Sequence, residues 1–146
     1  MPRDGFEVVA VVDTNKPASI LIVEDEALVS SYIREVLESS GFHVAGVAAS
    51  AAEALSHAAG SRPDLALIDI RLTGPTDGIE LACQLRERFQ LPAIFLSGLI
   101  DKHTIERAKA AEPLGFLKKP FLPSQVFNAI EEALASLPAR PNATPT

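Results

Sequence analysis

One cysteine, Cys83, stands in the 146-residue chain. That excludes an internal disulfide and fits a reducing compartment. Lying within a helical pattern, it reads as a small hydrophobe. No apolar stretch approaches the roughly 20 residues that a bilayer-spanning helix needs. Residues 1–5 are polar and lead into only a short apolar patch, so no secretory signal is expected. Basic residues are in deficit, with 13 Lys and Arg against 19 Asp and Glu and a formal net charge of -6. A dominant nucleic-acid surface would need a net basic face, so no direct nucleic-acid partner is expected. No Gly-x-Gly-x-x-Gly follows the first apolar run, which argues against a dinucleotide site. His43, His57 and His103 lack metal-ligand spacing and read as surface or packing residues. The expected setting is cytoplasmic, with no membrane partner.

What the chain has is apolar content arranged in a rhythm. Hydrophobic residues make up 47% and charged residues 22%, a folding rather than a disordered composition. The length suits one domain with a sizeable core. Short apolar runs at 20–23, 44–48, 65–68, 93–96 and 115–117 alternate with helical patterns. Leu28, Tyr32 and Val36 lie four apart, as do Val29, Ile33 and Leu37, and predict one apolar helix face. Gly41 is placed to cap that helix. Ser50 followed by Glu53 is a capping-box signature opening an Ala-rich helix, with Gly60 as its expected end. Asp77 or Gly78 opens a helix with Leu81, Ala82, Leu85 and Phe89 inside. Asp101 precedes a weaker helix with Ile105 and Ala108 inside. Pro123 suits the first turn of a last helix, striped by Val126, Phe127, Ile130, Ala133, Leu134 and Leu137. Five βα units predict a parallel sheet with helices on both faces.

Four of the runs stop at residues suited to phosphoryl chemistry. The first ends at Glu24 and Asp25, the third at Asp69, the fourth at Ser97, and the last at Lys118, Lys119 and Pro120. Ligands of open parallel sheets bind beyond the carboxyl ends of the strands. Three carboxylates sharing one crevice repel one another, and a hard divalent cation such as Mg²⁺ relieves that. An aspartate nucleophile could then take a phosphoryl group whose oxygens are held by the cation, Lys119 and the Ser97 hydroxyl. Taken singly, each residue also has an ordinary reading as a cap, a turn or a solvated lysine. Their common position in one βα alternation is what carries the chemistry.

These residues resemble the receiver domain of bacterial two-component response regulators. The resemblance spans about residues 19–137. It rests on Ile-Leu-Ile-Val-Glu24-Asp25-Glu26, Leu-Ile-Asp69-Ile-Arg71-Leu, Phe-Leu-Ser97-Gly98 and Gly115-Phe116-Leu-Lys118-Lys119-Pro120-Phe121. It implies a flavodoxin-like, doubly wound, five-stranded parallel sheet of order 2-1-3-4-5. It implies Asp69 as phosphoacceptor, charged by a histidine kinase or a histidine phosphotransfer protein. It implies Mg²⁺ held by Asp25, Asp69 and the main-chain carbonyl of Arg71, with Glu24 acting through water. Lys119 is the implied site lysine, Lys118 points elsewhere, and the Lys119–Pro120 bond is cis. Ser97 and Phe116 are the implied switch, which changes the surface of the last two strands and the fourth and fifth helices. That surface would meet a downstream protein target or form a phospho-dependent homodimer. The stretch 72–78 is one residue longer than the family's usual one, and Arg71 and Leu99 flank the phosphoryl position.

The expected organisation is a flexible extension over 1–18, the receiver over 19–137 and a proline-rich tail over 138–146. Residues 6–12 have strand-like composition, so an edge strand or a partner-binding segment is an alternative for the extension. No second domain is expected after Leu137, which predicts a single-domain regulator. It would promote its own phosphorylation and dephosphorylation rather than turn over multiple substrates. The alternative is a receiver fold that acts as a phosphorylation-independent interaction module. A haloacid-dehalogenase-like phosphatase would want an Asp two residues after the nucleophile, where Arg71 stands.

Overall fold

The computed structural model describes residues 16–98 and 101–138. Residues 1–15 of the expected extension, the tail from 139 onward and Leu99 lie outside the described residues. The strands are β1 (Ser19–Val23), β2 (His43–Ala48), β3 (Leu65–Asp69), β4 (Ala93–Ser97) and β5 (Gly115–Lys118). The helices are α1 (Ala27–Ser39), α2 (Ala51–Ser61), α3 (Gly78–Phe89), α4 (Lys102–Lys109) and α5 (Pro123–Ala135). Every strand pairing is parallel and the sheet order is β2-β1-β3-β4-β5. Both expectations, the α/β class and the 2-1-3-4-5 order, hold.

Alternation along the strands builds two cores, because successive side chains leave a strand on opposite faces. Ile20, Ile22, Leu65, Leu67, Ile94 and Leu96 pack with Ile33 and Leu37 of α1 and with Val126 and Ile130 of α5. Leu21, Val23, Ala66, Ile68 and Phe95 pack with Ala54 and Ala58 of α2 and with Leu81 and Leu85 of α3. A strand buried on both faces needs no polar residue until it leaves the sheet. The three central strands, β1, β3 and β4, are therefore continuous apolar runs, broken only at their ends.

Helix starts follow the capping signals. The Ser50 hydroxyl accepts from Glu53 N, the Asp77 carboxylate from Glu80 N and the Asp101 carboxylate from Thr104 N. Pro123 opens α5. Gly41, with φ of +91°, follows the end of α1 as expected.

Two local expectations are corrected. The Ala-rich helix does not stop at Gly60. It continues to Ser61, and Arg62 takes the left-handed conformation with φ of 51°. Pro63, which cannot extend a helix, sets that end. In α1 the apolar face is wider than the surface it buries. Ile33 and Leu37 are fully buried, but Leu28 is 87% exposed and Tyr32 37% exposed. At about 100° per residue, Leu28 and Tyr32 lie to one side of the column Val29, Ile33 and Leu37. The drift of about 40° every four residues brings Val36 back into the core.

Candidate functional site

Register sets the site. Val23 pairs with Ile68, Asp69 with Leu96, and Ser97 with Lys118. One residue beyond Val23 is Glu24, level with Asp69. Beyond Lys118 is Lys119, whose backbone N–H donates to Ser97 O at 2.6 Å. The Lys119–Pro120 bond is cis, and Lys118 is exposed on the edge strand.

Glu24, Asp69 and Ser97 are buried at 2%, 5% and 5% exposure, among otherwise apolar strands. The Lys119 ammonium sits between the acids, 3.0 Å from Glu24 Oε1 and 3.4 Å from Asp69 Oδ2. Glu26 Oε1 is a third, outer neighbour at 3.8 Å. Asp69 Oδ1 accepts from Arg71 N at 3.0 Å, and Glu24 Oε2 accepts from Glu26 N at 3.1 Å. Asp25 Oδ2 accepts from both the backbone N–H and the hydroxyl of Thr73, at 3.1 and 2.7 Å. Asp25, Asp69, Arg71, Thr73 and Lys119 line an open cavity of about 700 Å³.

Electrostatics follow from this packing. Burial pushes the Glu24 carboxyl above its ordinary range, against the opposing pull of Lys119. Burial alone would lower the Lys119 ammonium, but the adjacent Glu24 and Asp69 carboxylates outweigh it and raise the group. The Thr73 hydroxyl holds Asp25 below the usual carboxylate range.

One carboxylate oxygen from each of Glu24, Asp25 and Asp69 lies within 4.8 Å of the others. Glu24 Oε1 is buried, and its contact with Lys119 is an ion pair rather than a well-directed hydrogen bond. A buried acceptor with an unused direction, beside two further hard oxygen donors, fits a Mg²⁺ or similar divalent cation.

The expected residues Glu24, Asp25, Asp69 and Lys119 converge, with Ser97 at the adjoining strand end and Arg71 on the cavity wall. Phe116 lies outside the crevice on β5. It is 43% exposed, with its ring centroid 5.8 Å from that of Phe95. Three contributors carry no role in the motif reading, although Glu26 stands within one of the motifs. Thr73 holds Asp25, and Glu26 stands beside Lys119. Gly78 packs so closely on β3 that a Cβ there would sit 2.1 Å from the Asp69 backbone oxygen. The Asp77-Gly78 pair was a visible signal for the last, though only as a helix start.

A doubly wound sheet of this order, with acids, a hydroxyl and a lysine at neighbouring strand ends, defines a receiver-type domain. The family model for the response regulator receiver domain matches residues 20–131, and the chain belongs to that family, the receiver domains of two-component systems. It is 32% identical over 123 residues to the transcriptional regulatory protein PdtaR of Mycobacterium tuberculosis, covering 84% of this chain and 60% of that protein. It is 37% identical over 117 residues to the phyllosphere-induced regulator PhyR of Methylorubrum extorquens, covering 79% and 43%. The chain thus spans about half the length of these curated relatives. Among solved structures, the signal receiver domain of a modulated diguanylate cyclase from Desulfovibrio desulfuricans superposes with a TM-score of 0.79. It is 40% identical and covers 82% of this chain and 95% of that one. A CheY-like receiver domain protein from Methanospirillum hungatei gives a TM-score of 0.76 at 27% identity, with 82% and 95% covered. Among the described residues, no helix is long and apolar enough to cross a membrane.

Proposed function

We propose that the domain is a phosphorylatable switch that takes a phosphoryl group on Asp69 from a histidine kinase or a histidine phosphotransfer protein. The observation that carries this reading is the convergence on Asp69. A lysine ammonium lies 3.4 Å from its carboxylate, and two further acids fall within 4.8 Å.

A carboxylate oxygen of Asp69 attacks phosphorus, and the P–O bond forms as the donor's P–N bond breaks. The electron pair returns to the imidazole nitrogen. Asp25, Asp69 and the Arg71 main-chain carbonyl would hold Mg²⁺, with Glu24 acting through water. When bound, the cation supplies charge neutralisation for the phosphoryl oxygens. Lys119 neutralises a second oxygen and Ser97 donates to a third, which is stabilisation by position rather than by covalent chemistry. The drawing of Ser97 toward the phosphoryl group lets the half-exposed Phe116 ring turn inward. Bias toward that state equals the difference in phosphoryl contacts between the two arrangements. The altered surface around β5, α4 and α5 then meets a downstream protein or a second copy of the chain. The setting that fits this chemistry is the cytoplasm, and the domain acts as a signal carrier rather than a turnover enzyme.

Incubation with a small acyl phosphate and Mg²⁺, followed by a phosphate-affinity gel, tests the reading. A Mg²⁺-dependent shifted band is expected for the wild type. It should be absent in Asp69→Asn, whose circular dichroism should match the wild type. Labelling of Asp69→Asn to the wild-type extent would overturn the acceptor assignment. A persistent lack of any Asp69-dependent band would favour a phosphorylation-independent interaction module.

A further inference from the structure

Thr73, in the loop between β3 and α3, donates twice to one oxygen of Asp25, a residue 48 positions away in sequence. Its backbone N–H lies 3.1 Å from Asp25 Oδ2 and its hydroxyl 2.7 Å. Thr73 is exposed and packs into neither core, so folding does not require it there. The next residue, Gly74, has φ of +108°, a conformation that side chains rarely adopt. The loop therefore turns sharply just after Thr73, with both of its donors directed onto the carboxylate. Asp25 is half-buried and comes from the loop after β1 rather than from a strand. Among the three clustered acids it has the weakest support from the sheet.

We infer that Thr73 is the positioning residue of the divalent-cation site. Two donors on Oδ2 fix the tilt of the Asp25 carboxylate and leave Oδ1 to serve as the ligand atom toward Glu24 and Asp69. The inference rests on the reading of this crevice as a Mg²⁺ site. Its physical basis is preorganisation. A ligating carboxylate that is already hydrogen-bonded in place loses less freedom when the ion arrives. Partners of this kind commonly change metal affinity by about 10- to 100-fold when removed. The long stretch 72–78 acquires a role in this account, which is to carry a donor pair across the mouth of the crevice to the first strand's acid.

Isothermal titration of the full chain with MgCl₂ tests this, comparing wild type, Thr73→Val and Thr73→Ser. Valine keeps the shape and the backbone N–H but removes the hydroxyl, and serine restores it. Thr73→Val should bind Mg²⁺ about tenfold more weakly, and Thr73→Ser should stay close to wild type. Circular dichroism should show all three folded alike, since the side chain is exposed. Wild type that binds with Thr73→Val equal or tighter would overturn the positioning role while leaving the cation site standing. Wild type that binds no Mg²⁺ would remove the cation site, and this inference with it.

Discussion

Replacing Gly78 by alanine would place a methyl carbon 2.1 Å from the backbone oxygen of Asp69 and 2.9 Å from Ile70 Cα. Real contacts of this kind essentially never fall below 3.0 Å, so β3 and the start of α3 must separate by roughly 1 Å. Both sides are backbone, and no side chain can rotate away. Overpacking of this sort costs about 1–3 kcal/mol, and the rigidity of the neighbours puts this case near the upper end. Alanine returns about 0.5–1 kcal/mol through helix propensity and a less flexible unfolded chain. The net expectation is a loss of about 2 kcal/mol, read as a urea midpoint lower by about 1 M at the m-values of small proteins. Gly60→Ala is the matched control. Gly60 lies inside α2 with nothing within 4 Å of its added Cβ, so the same substitution should raise stability by about 0.5–1 kcal/mol. The displaced carbonyl belongs to the proposed acceptor, so Gly78→Ala should also weaken Mg²⁺ binding, while Gly60→Ala should not. A midpoint for Gly78→Ala at or above wild type, with Gly60→Ala behaving as stated, would refute the steric argument.

Two further substitutions probe charge. Lys119→Met removes the ammonium 3.0 Å from Glu24 and 3.4 Å from Asp69. It should destabilise the metal-free protein by about 2 kcal/mol near neutral pH, less than a fully buried pair because the side chain reaches solvent. Without the opposing pull of the ammonium, the Glu24 carboxyl, already raised by burial, rises further in the folded state, so the deficit should shrink as pH falls toward 4. A deficit that is constant with pH in urea titrations would contradict this. Asp77 caps α3 and pairs with Arg107 at 2.9 Å. Burial opposes its charge, but the Glu80 N–H and Arg107 outweigh that and hold its pKa below the usual range. A depressed carboxyl contributes stability above its unfolded pKa near 4 and loses it as pH falls through the lower folded value. Asp77→Ala should therefore cost about 1 kcal/mol at pH 7 and less near pH 2. Equal losses at both pH values would sink the assignment.

The parts of the site that a linear reading reaches are those set by strand ends. A buried parallel strand stays apolar until it leaves the sheet, so the first polar residue after each run marks the crevice directly. Glu24, Asp69 and Ser97 are legible for that reason, with Asp25 one residue on, and parallel register then brings them level. Lys119 follows the exposed Lys118 of the edge strand, so the receiver resemblance rather than the run itself singles it out. Thr73 and Gly78 belong to a different class. Their partners are fixed by the path of the 72–78 loop, and no periodicity encodes where a loop goes. A hydroxyl 48 positions from its acid and a missing Cβ against a backbone carbonyl become visible only in three dimensions. Leu28 shows a third limit. Its spacing places it on an apolar arc, yet spacing does not say how much of that arc the sheet covers, and 87% of Leu28 stays exposed. The boundary between read and unread residues thus follows the physics of the elements. Strands specify which residues arrive at the crevice, and the connecting loop specifies how firmly they are held there. A variant at the exposed Thr73 of that loop should accordingly change cation affinity while leaving the fold and the proposed acceptor untouched.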